Sequence, residues 1–145
     1  AHPGRKVAQK LVDGGRLGEK TKAGFYDYDA EAPRLWHGLK GYFPFAAEQP
    51  ALEYVKNRLM YRQANEALRC FDDGVLSDAR DADLGSVLGW GFASHTGGIA
   101  RFIDNVGAKN ILDFCLEAEK TVGERFTPAS KLVALAETRA LLHQA

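Results

Sequence analysis

The longest regular pattern of apolar positions runs from Ala51 to Asp73, ALEYVKNRLMYRQANEALRCFDD. Leu52, Val55 and Leu59, then Met60, Ala64, Ala67, Leu68 and Phe71, follow one another mostly at steps of three and four. That spacing predicts a helix. The single step from Leu59 to Met60 lets the stripe drift around the axis and gives nearly two apolar stripes, so this helix is expected in the core. At about 1.5 Å per residue it reaches roughly 35 Å. Pro50 suits a first helical position, where its missing N–H would be unpaired anyway, and Gly74 can take the left-handed conformation that ends a helix.

The other apolar patterns are shorter. GRKVAQKLVD, residues 4–13, predicts an amphipathic helix with Val7, Leu11 and Val12 on one side, ending at Gly14 and Gly15. So narrow a stripe must lean on something else, and the start of the chain reads as a cut. GRLGEKTKAGFYDYD reads as a glycine-bearing loop ending in a short extended piece, anchored by Phe25, Tyr26 and Tyr28. From Ala30 to Pro50, Pro33, Pro44, Gly38 and Gly41 break any helical period and predict a connector. Its aromatics, Trp36, Tyr42, Phe43 and Phe45, are expected to pin it in an ordered wrap.

Beyond the central helix, Ser77 is the expected cap of DARDADLGSVL, with Asp78 and Asp81 at its positive end and Gly89 closing it. IARFIDNV follows Gly98, and AKNILDFCLEAEKTV turns Ile111, Leu112, Cys115 and Val122 inward before Gly123. A last helix is expected with Thr127 as cap and Pro128 at its first position, running through Lys131 to about His143, with Leu132, Leu135 and Ala136 inside. With no convincing strand pair, the fold class is all-α.

A chain of 145 residues can hold one ordinary domain and bury about two-thirds of its unfolded surface. Its 19 Lys and Arg balance 19 Asp and Glu, leaving no net charge to draw in nucleic acid or an anionic membrane. No run of 18 apolar residues predicts a membrane span, and the opening residues lack the apolar segment of a signal peptide, so a cytoplasmic location is expected. Cys70 and Cys115 sit at apolar helical positions without metal-ligand spacing and read as small buried hydrophobes in a reducing compartment.

Three stretches invite chemical readings. The lysine- and glycine-bearing loop, with Lys20 and Lys22, is either a structural clamp or a phosphate cradle; no strand precedes its glycines and no Gly-Lys-Ser follows, which favours the clamp. Gly89-x-Gly91-x-x-Ser94 lacks the final glycine of a dinucleotide fingerprint and follows a helix where a strand is required. Ser94, His95 and Asp104 could be assembled into a hydrolase triad, but no G-x-S-x-G elbow surrounds Ser94, so His95 defaults to a loop histidine.

Taken together, two regions resemble the C-terminal part of the L-3-hydroxyacyl-CoA dehydrogenases. GRLGEKTKAGFYDY, residues 15–28, is similar to the motif that ends the family's helical domain. Residues 57–75, 81–92 and 97–111 are similar to the pattern that begins and fills one, through Asn57, Arg58, Asn65, Glu66, Ala67, Asp81, Asp83, Gly89, Gly91, Phe92, Gly97, Gly98, Asp104 and Gly107. The ending motif precedes the beginning one. That order resembles the multifunctional fatty-acid oxidation proteins, which carry two helical repeats in tandem, and Gly97-Gly98 with Arg101 and Phe102 looks more like their second repeat.

The resemblance implies a helical bundle like the C-terminal domain of those dehydrogenases. Residues 1–28 would end a first repeat, 29–50 would be an ordered linker, and 51–145 a second repeat. It implies NAD-dependent oxidation of L-3-hydroxyacyl-CoA in fatty-acid β-oxidation by the full-length enzyme, whose catalytic His–Glu pair and NAD-binding domain lie upstream. No catalytic, cofactor-binding or metal-binding residue is then expected in this chain. By family position alone, Leu88 stands where a tyrosine near substrate occurs in relatives, and Asn57 matches a substrate-side asparagine of the first repeat that is vestigial in the second. Lys22 and Ala23 replace a usual Gly-x, and Ala93 and Ser94 replace prolines. The implied partners are the upstream repeat and the NAD-binding domain, or a second copy of the chain. Rival readings are a free-standing helical module that binds acyl-CoA or a partner subunit through Lys20 and Lys22, and an independent enzyme using His95.

Overall fold

Helical spacing decides most of the architecture, and the observed class is all-α. The computed structural model describes residues 3–29 and 31–144. Ala1 and His2 of the opening segment, Ala30 at the start of the connector and Ala145 at the end of the expected second repeat lie outside the described residues. The chain divides into two compact units, Ala1–Gln49 and Pro50–Ala145.

In the first unit, α1 (Pro3–Asp13) forms where the apolar pattern places it, with Leu11 buried but Val7 and Val12 facing solvent. The glycine loop then turns through residues 19–21 into β1 (Tyr26–Asp27), which pairs antiparallel with β2 (Arg34–Leu35). No strand pair was expected, and two residues a side is too short for an alternation to show in sequence. A one-turn helix, α2 (Leu39–Tyr42), also sits in the connector that has no helical period. Trp36 meets Tyr42 edge-on at 5.2 Å, whereas Phe45 is exposed, with the Lys40 ammonium 5.7 Å from its ring.

The second unit is a bundle of five helices, α3 (Leu52–Asp72), α4 (Ala79–Trp90), α5 (Ile99–Val106), α6 (Ala108–Val122) and α7 (Ser130–Thr138). Helix α3 packs on α5, α6 and α7, while α4 pairs with α5 and α6 with α7. The core is assembled from Ala64, Ala67 and Leu68 of α3, Ile99, Ala100 and Ile103 of α5, Ile111, Cys115 and Ala118 of α6, Phe126, and Leu132 and Leu135 of α7. Phe114 of α6 joins Tyr61 edge-on at 5.2 Å and Phe126 at 6.1 Å, filling the space that the alanines of α3 leave.

Only the second half of α3 is a core helix. Leu52 and Leu59 are 70% and 62% exposed, so the first of its two stripes faces outward. Pro50 lies ahead of Ala51, the residue flanking the helix, instead of at its first position. Gly74 does end it as expected: at φ +70° its N–H reaches the Phe71 carbonyl at 3.2 Å while Val75 N–H reaches that of Cys70 at 2.9 Å.

Three further boundaries differ from expectation. Asp78, not Ser77, caps α4, its carboxylate accepting the Arg80 backbone N–H at 2.8 Å. Gly89 stays helical and α4 ends at Gly91, whose φ of +71° is the conformation a β-carbon disfavours. Helix α7 begins after Ala129, since the Thr127 hydroxyl is engaged with the Glu119 carboxylate and Pro128 holds the approach extended. It stops at Arg139, which takes φ +57°, so His143 falls in a separate 3₁₀ turn, Leu142–Gln144. Cys115 is buried as expected, whereas Cys70 and Ala136 are only half-buried.

Candidate functional site

The polar centre of the bundle is built by α4, α5 and the final turn. Asp83 lies one turn inside α4, Asp104 lies on α5, and His143 reaches between them. The imidazole Nε2 is 2.9 Å from Asp83 Oδ2 and Nδ1 is 2.7 Å from Asp104 Oδ2. The three side chains are 14%, 5% and 14% exposed for Asp83, Asp104 and His143. Each carboxylate is also tied to backbone: Asp83 Oδ1 accepts Arg101 N–H at 2.9 Å, and Asp104 Oδ1 accepts Leu142 N–H at 2.8 Å. Donors at the first turn of α5 would otherwise be orphaned, so Asp83 caps α5 from a neighbouring helix.

The same junction explains the paired glycines. Gly98 sits at φ +114°, and a β-carbon there would lie 2.5 Å from the Asp83 Cα. Only glycine lets α4 and α5 come this close. Ser86, fully buried, donates its hydroxyl to the Asp83 carbonyl at 2.8 Å and accepts Ile99 N–H at 3.0 Å, stitching the two helices a turn further on.

Asn65 is fully buried and bridges α3 to the approach to α7. Its Nδ2 donates to the Thr127 carbonyl at 2.9 Å and its Oδ1 accepts Ala129 N–H at 2.8 Å. The Arg69 guanidinium donates to the same Thr127 carbonyl, and Asp72 accepts Lys131 N–H at 2.9 Å. Glu66 is exposed, and Arg62 and Arg69 beside it hold its carboxyl below the usual range, chiefly through the Arg62 hydrogen bond. Asn65, Asp83, Gly98 and Asp104 of the recognised pattern thus meet helix ends, an arrangement that fixes geometry.

The catalytic readings fare differently. His95 is exposed, and Asp104 is paired with His143, so Ser94, His95 and Asp104 do not assemble into a triad. In the glycine loop the N–H groups of Gly18, Thr21, Lys22, Ala23 and Gly24 all bond to carbonyls within residues 18–26, which leaves none of them for a phosphate. The loop is a clamp closed by Arg16: Nε donates to the Gly24 carbonyl at 2.7 Å, a terminal nitrogen pairs with Asp27, and the guanidinium stacks 3.9 Å over Trp36. Lys22, where a Gly-x is usual, adopts φ +55° and ends the 3₁₀ turn. Nor do Gly89 and Gly91 fit a dinucleotide, because a helix leads into them and the Phe92 N–H is bonded to the Ser86 carbonyl at 3.0 Å.

Leu88 is 76% exposed on α4, beside Leu84 and Trp90, which are exposed as well. Trp90 Nε1 donates to Gln63 Oε1 of α3 at 3.1 Å and joins this apolar strip to the outward stripe of α3. A shallow cleft of about 480 Å³ lies along that stripe, lined by Tyr54, Val55, Leu59 and Phe126 with Arg58 and Arg62 at its edge. Asn57, on the same half of α3, is half-buried. Another cleft, of about 410 Å³, opens beside His143 and is lined by Phe71, Asp78, Arg80 and Lys131. Among the described residues no cluster of three or more His, Cys, Asp or Glu could hold a metal ion, and no helix is long and apolar enough to cross a membrane.

Sequence reasoning marked both aspartates of the polar centre but missed His143, which the periodicity assigned to the end of a helix. The one signal available was a histidine following the apolar pair Leu141-Leu142, close behind Arg139.

No family model matches the chain. It is 33% identical over 134 residues to the fatty acid oxidation complex subunit alpha of Shewanella loihica, a match that covers 89% of the chain and 19% of that subunit. The corresponding subunit of Shewanella oneidensis is 32% identical over 136 residues, and that of Shewanella baltica 31% over 137, each across 90% of the chain and 19% of the relative. The chain therefore spans about one fifth of the length of the curated relatives it matches, and it is a relative of the alpha subunits of the fatty acid oxidation complex.

Proposed function

We propose that this chain is the C-terminal helical part of an NAD-dependent L-3-hydroxyacyl-CoA dehydrogenase of fatty-acid β-oxidation, supplying contact surface and rigidity to a reaction centre carried on other polypeptide. The observation that carries this reading is the match of about nine-tenths of the chain to one fifth of the alpha subunits. Residues 1–28 and 51–145 would be the end of one helical repeat and the whole of the next, and the division of the chain at Gln49 supports a boundary there.

The polar chemistry of the bundle supports a structural part. Asp83, Asp104, His143 and Asn65 each spend their hydrogen bonds on backbone or on one another. The outward strip of Leu59, Leu84, Leu88 and Trp90 supplies the apolar centre that an interface needs, and an interface of ordinary size removes about 1,600 Å² from water in total. Its partner would be the upstream repeat of the same enzyme.

A chimaera tests this. The fifth of the Shewanella loihica subunit that aligns with this chain is replaced by it, and NADH formation from an L-3-hydroxyacyl-CoA is followed. Activity is expected in the chimaera and not in a subunit with that fifth deleted. Leu84→Asp with Leu88→Asp, both on solvent-facing positions, should abolish activity while leaving the melting temperature of the isolated chain within a few degrees. NADH production by the isolated chain would overturn the proposal, and acyl-CoA binding by it without turnover would favour the free-standing module.

A further inference from the structure

We propose that His143 is a pH-responsive clasp that fastens the C-terminal turn, Leu142–Gln144, to helices α4 and α5. The turn is short, and its hold on the bundle is concentrated in one place: Leu142 is buried, and the N–H groups of Leu142 and His143 both donate to Asp104, at 2.8 and 3.3 Å. The imidazole adds the cross-link to α4, spanning Asp104 and Asp83 with one ring nitrogen at each.

The geometry ties this link to the charge of the ring. An imidazolium donates from both nitrogens, whereas a neutral imidazole donates from one and turns a lone pair toward whatever faces the other. Here both positions face carboxylate oxygens within 2.9 Å. Neither carboxylate is free to swing aside, because Asp83 Oδ1 is held by Arg101 N–H and Asp104 Oδ1 by Leu142 N–H. Loss of the ring proton thus removes one charge-assisted bond and sets a lone pair against a carboxylate in a largely buried position.

Other charged groups approach from the neighbouring elements. Asp78 and Arg80, at the start of α4, line the adjoining cleft and are paired with each other, and Lys131 of α7 lines it too. Asp78 and the two bonded carboxylates favour the imidazolium, Arg80 and Lys131 oppose it, and Phe71 of α3 brings no charge. The clasp is closed while the ring is charged and loosens as pH rises through its titration. The backbone bonds to Asp104 remain, so the turn loosens without unfolding the bundle.

The test uses the whole chain and NMR. The His143 ring resonances and the exchange of the Leu142 and His143 amides, corrected for intrinsic rates, are followed between about pH 5 and pH 8, the interval in which histidines change charge. Protection of the two amides is expected to fall about tenfold, with the midpoint of the ring titration, as one charge-assisted bond is lost. The amides of Ile103 and Ile111, in the buried core, should not follow. His143→Gln, whose amide donates from a single nitrogen at every pH, should show low protection and no step. A ring that titrates with protection unchanged, a ring that keeps one charge state across the interval, or the same step in His143→Gln would each overturn the proposal. The wild-type titration decides alone if that variant does not fold.

Discussion

Truncating Asn65 to alanine is expected to cost the helical bundle about 2–4 kcal/mol. The side chain is fully buried and makes two bonds across Pro128, one to the Thr127 carbonyl and one from Ala129 N–H. The two partners do not suffer equally. Thr127 keeps the Arg69 guanidinium as a donor, so its carbonyl stays satisfied. Ala129 is buried, and its N–H would lose its acceptor, a loss worth about 1–3 kcal/mol. The second bond and the small void left by an amide add about 1 kcal/mol more. Against a typical domain stability of about 5–15 kcal/mol the change is large. Urea denaturation followed by circular dichroism should show the midpoint fall with an unchanged slope. Asn65→Asp separates the two bonds: one oxygen can still accept Ala129 N–H, but the other meets the Thr127 carbonyl. Its deficit at neutral pH should shrink as acid protonates the carboxyl and gives it a proton to donate. A loss below about 0.5 kcal/mol for Asn65→Ala, the scale of a neutral surface change, would refute the reasoning.

Two glycines ten residues or fewer apart should respond in opposite directions. Gly98→Ala forces a β-carbon into the Asp83 backbone at φ +114° and is expected to destabilise by about 3 kcal/mol or more, whereas Gly89→Ala, helical with open space around it, should stabilise by about 0.5–1 kcal/mol; thermal melts of both decide. Burial pushes the Cys115 thiol up to about 11, so at pH 8 a thiol reagent should label it in the native protein far more slowly than in urea. The Arg80 hydrogen bonds hold the Asp78 carboxyl down at about 2, from an ordinary 3.8. A lowered native value means that its contribution is complete above the ordinary value and is lost progressively as pH falls from 3.8 through about 2, and a carbon-detected NMR titration of the native protein should find its midpoint at about 2.

How much of this was legible depended on whether the cause was local. The existence of α3, α5 and α6 follows from apolar spacing alone, and the stop at Gly74 follows from its conformational freedom. Which half of α3 is covered did not follow, because Leu52 and Leu59 obey the same helical period as Ala64 and Leu68 and are told apart by what packs against them. The cap of α4 moved from Ser77 to Asp78 because Arg80 braces the aspartate from both its backbone and its side chain. At the polar centre, Asp83 and Asp104 were marked by a family pattern, yet their partner is 60 and 39 residues away, and no local rule points to it. Helix α7 was read past its end because a non-glycine residue, Arg139, takes the left-handed turn that glycine usually marks.

The Asn65 bridge also orders events in time. It joins residue 65 to residue 127, 62 positions later, through the chain that must form α4, α5 and α6 in between. A ribosome making this protein finishes α3 long before it emits Ala129. Until then the face around Ala64 and Leu68 has no lid from α7, and the nascent chain must carry it with nothing but α5 and α6, as each emerges, to cover it.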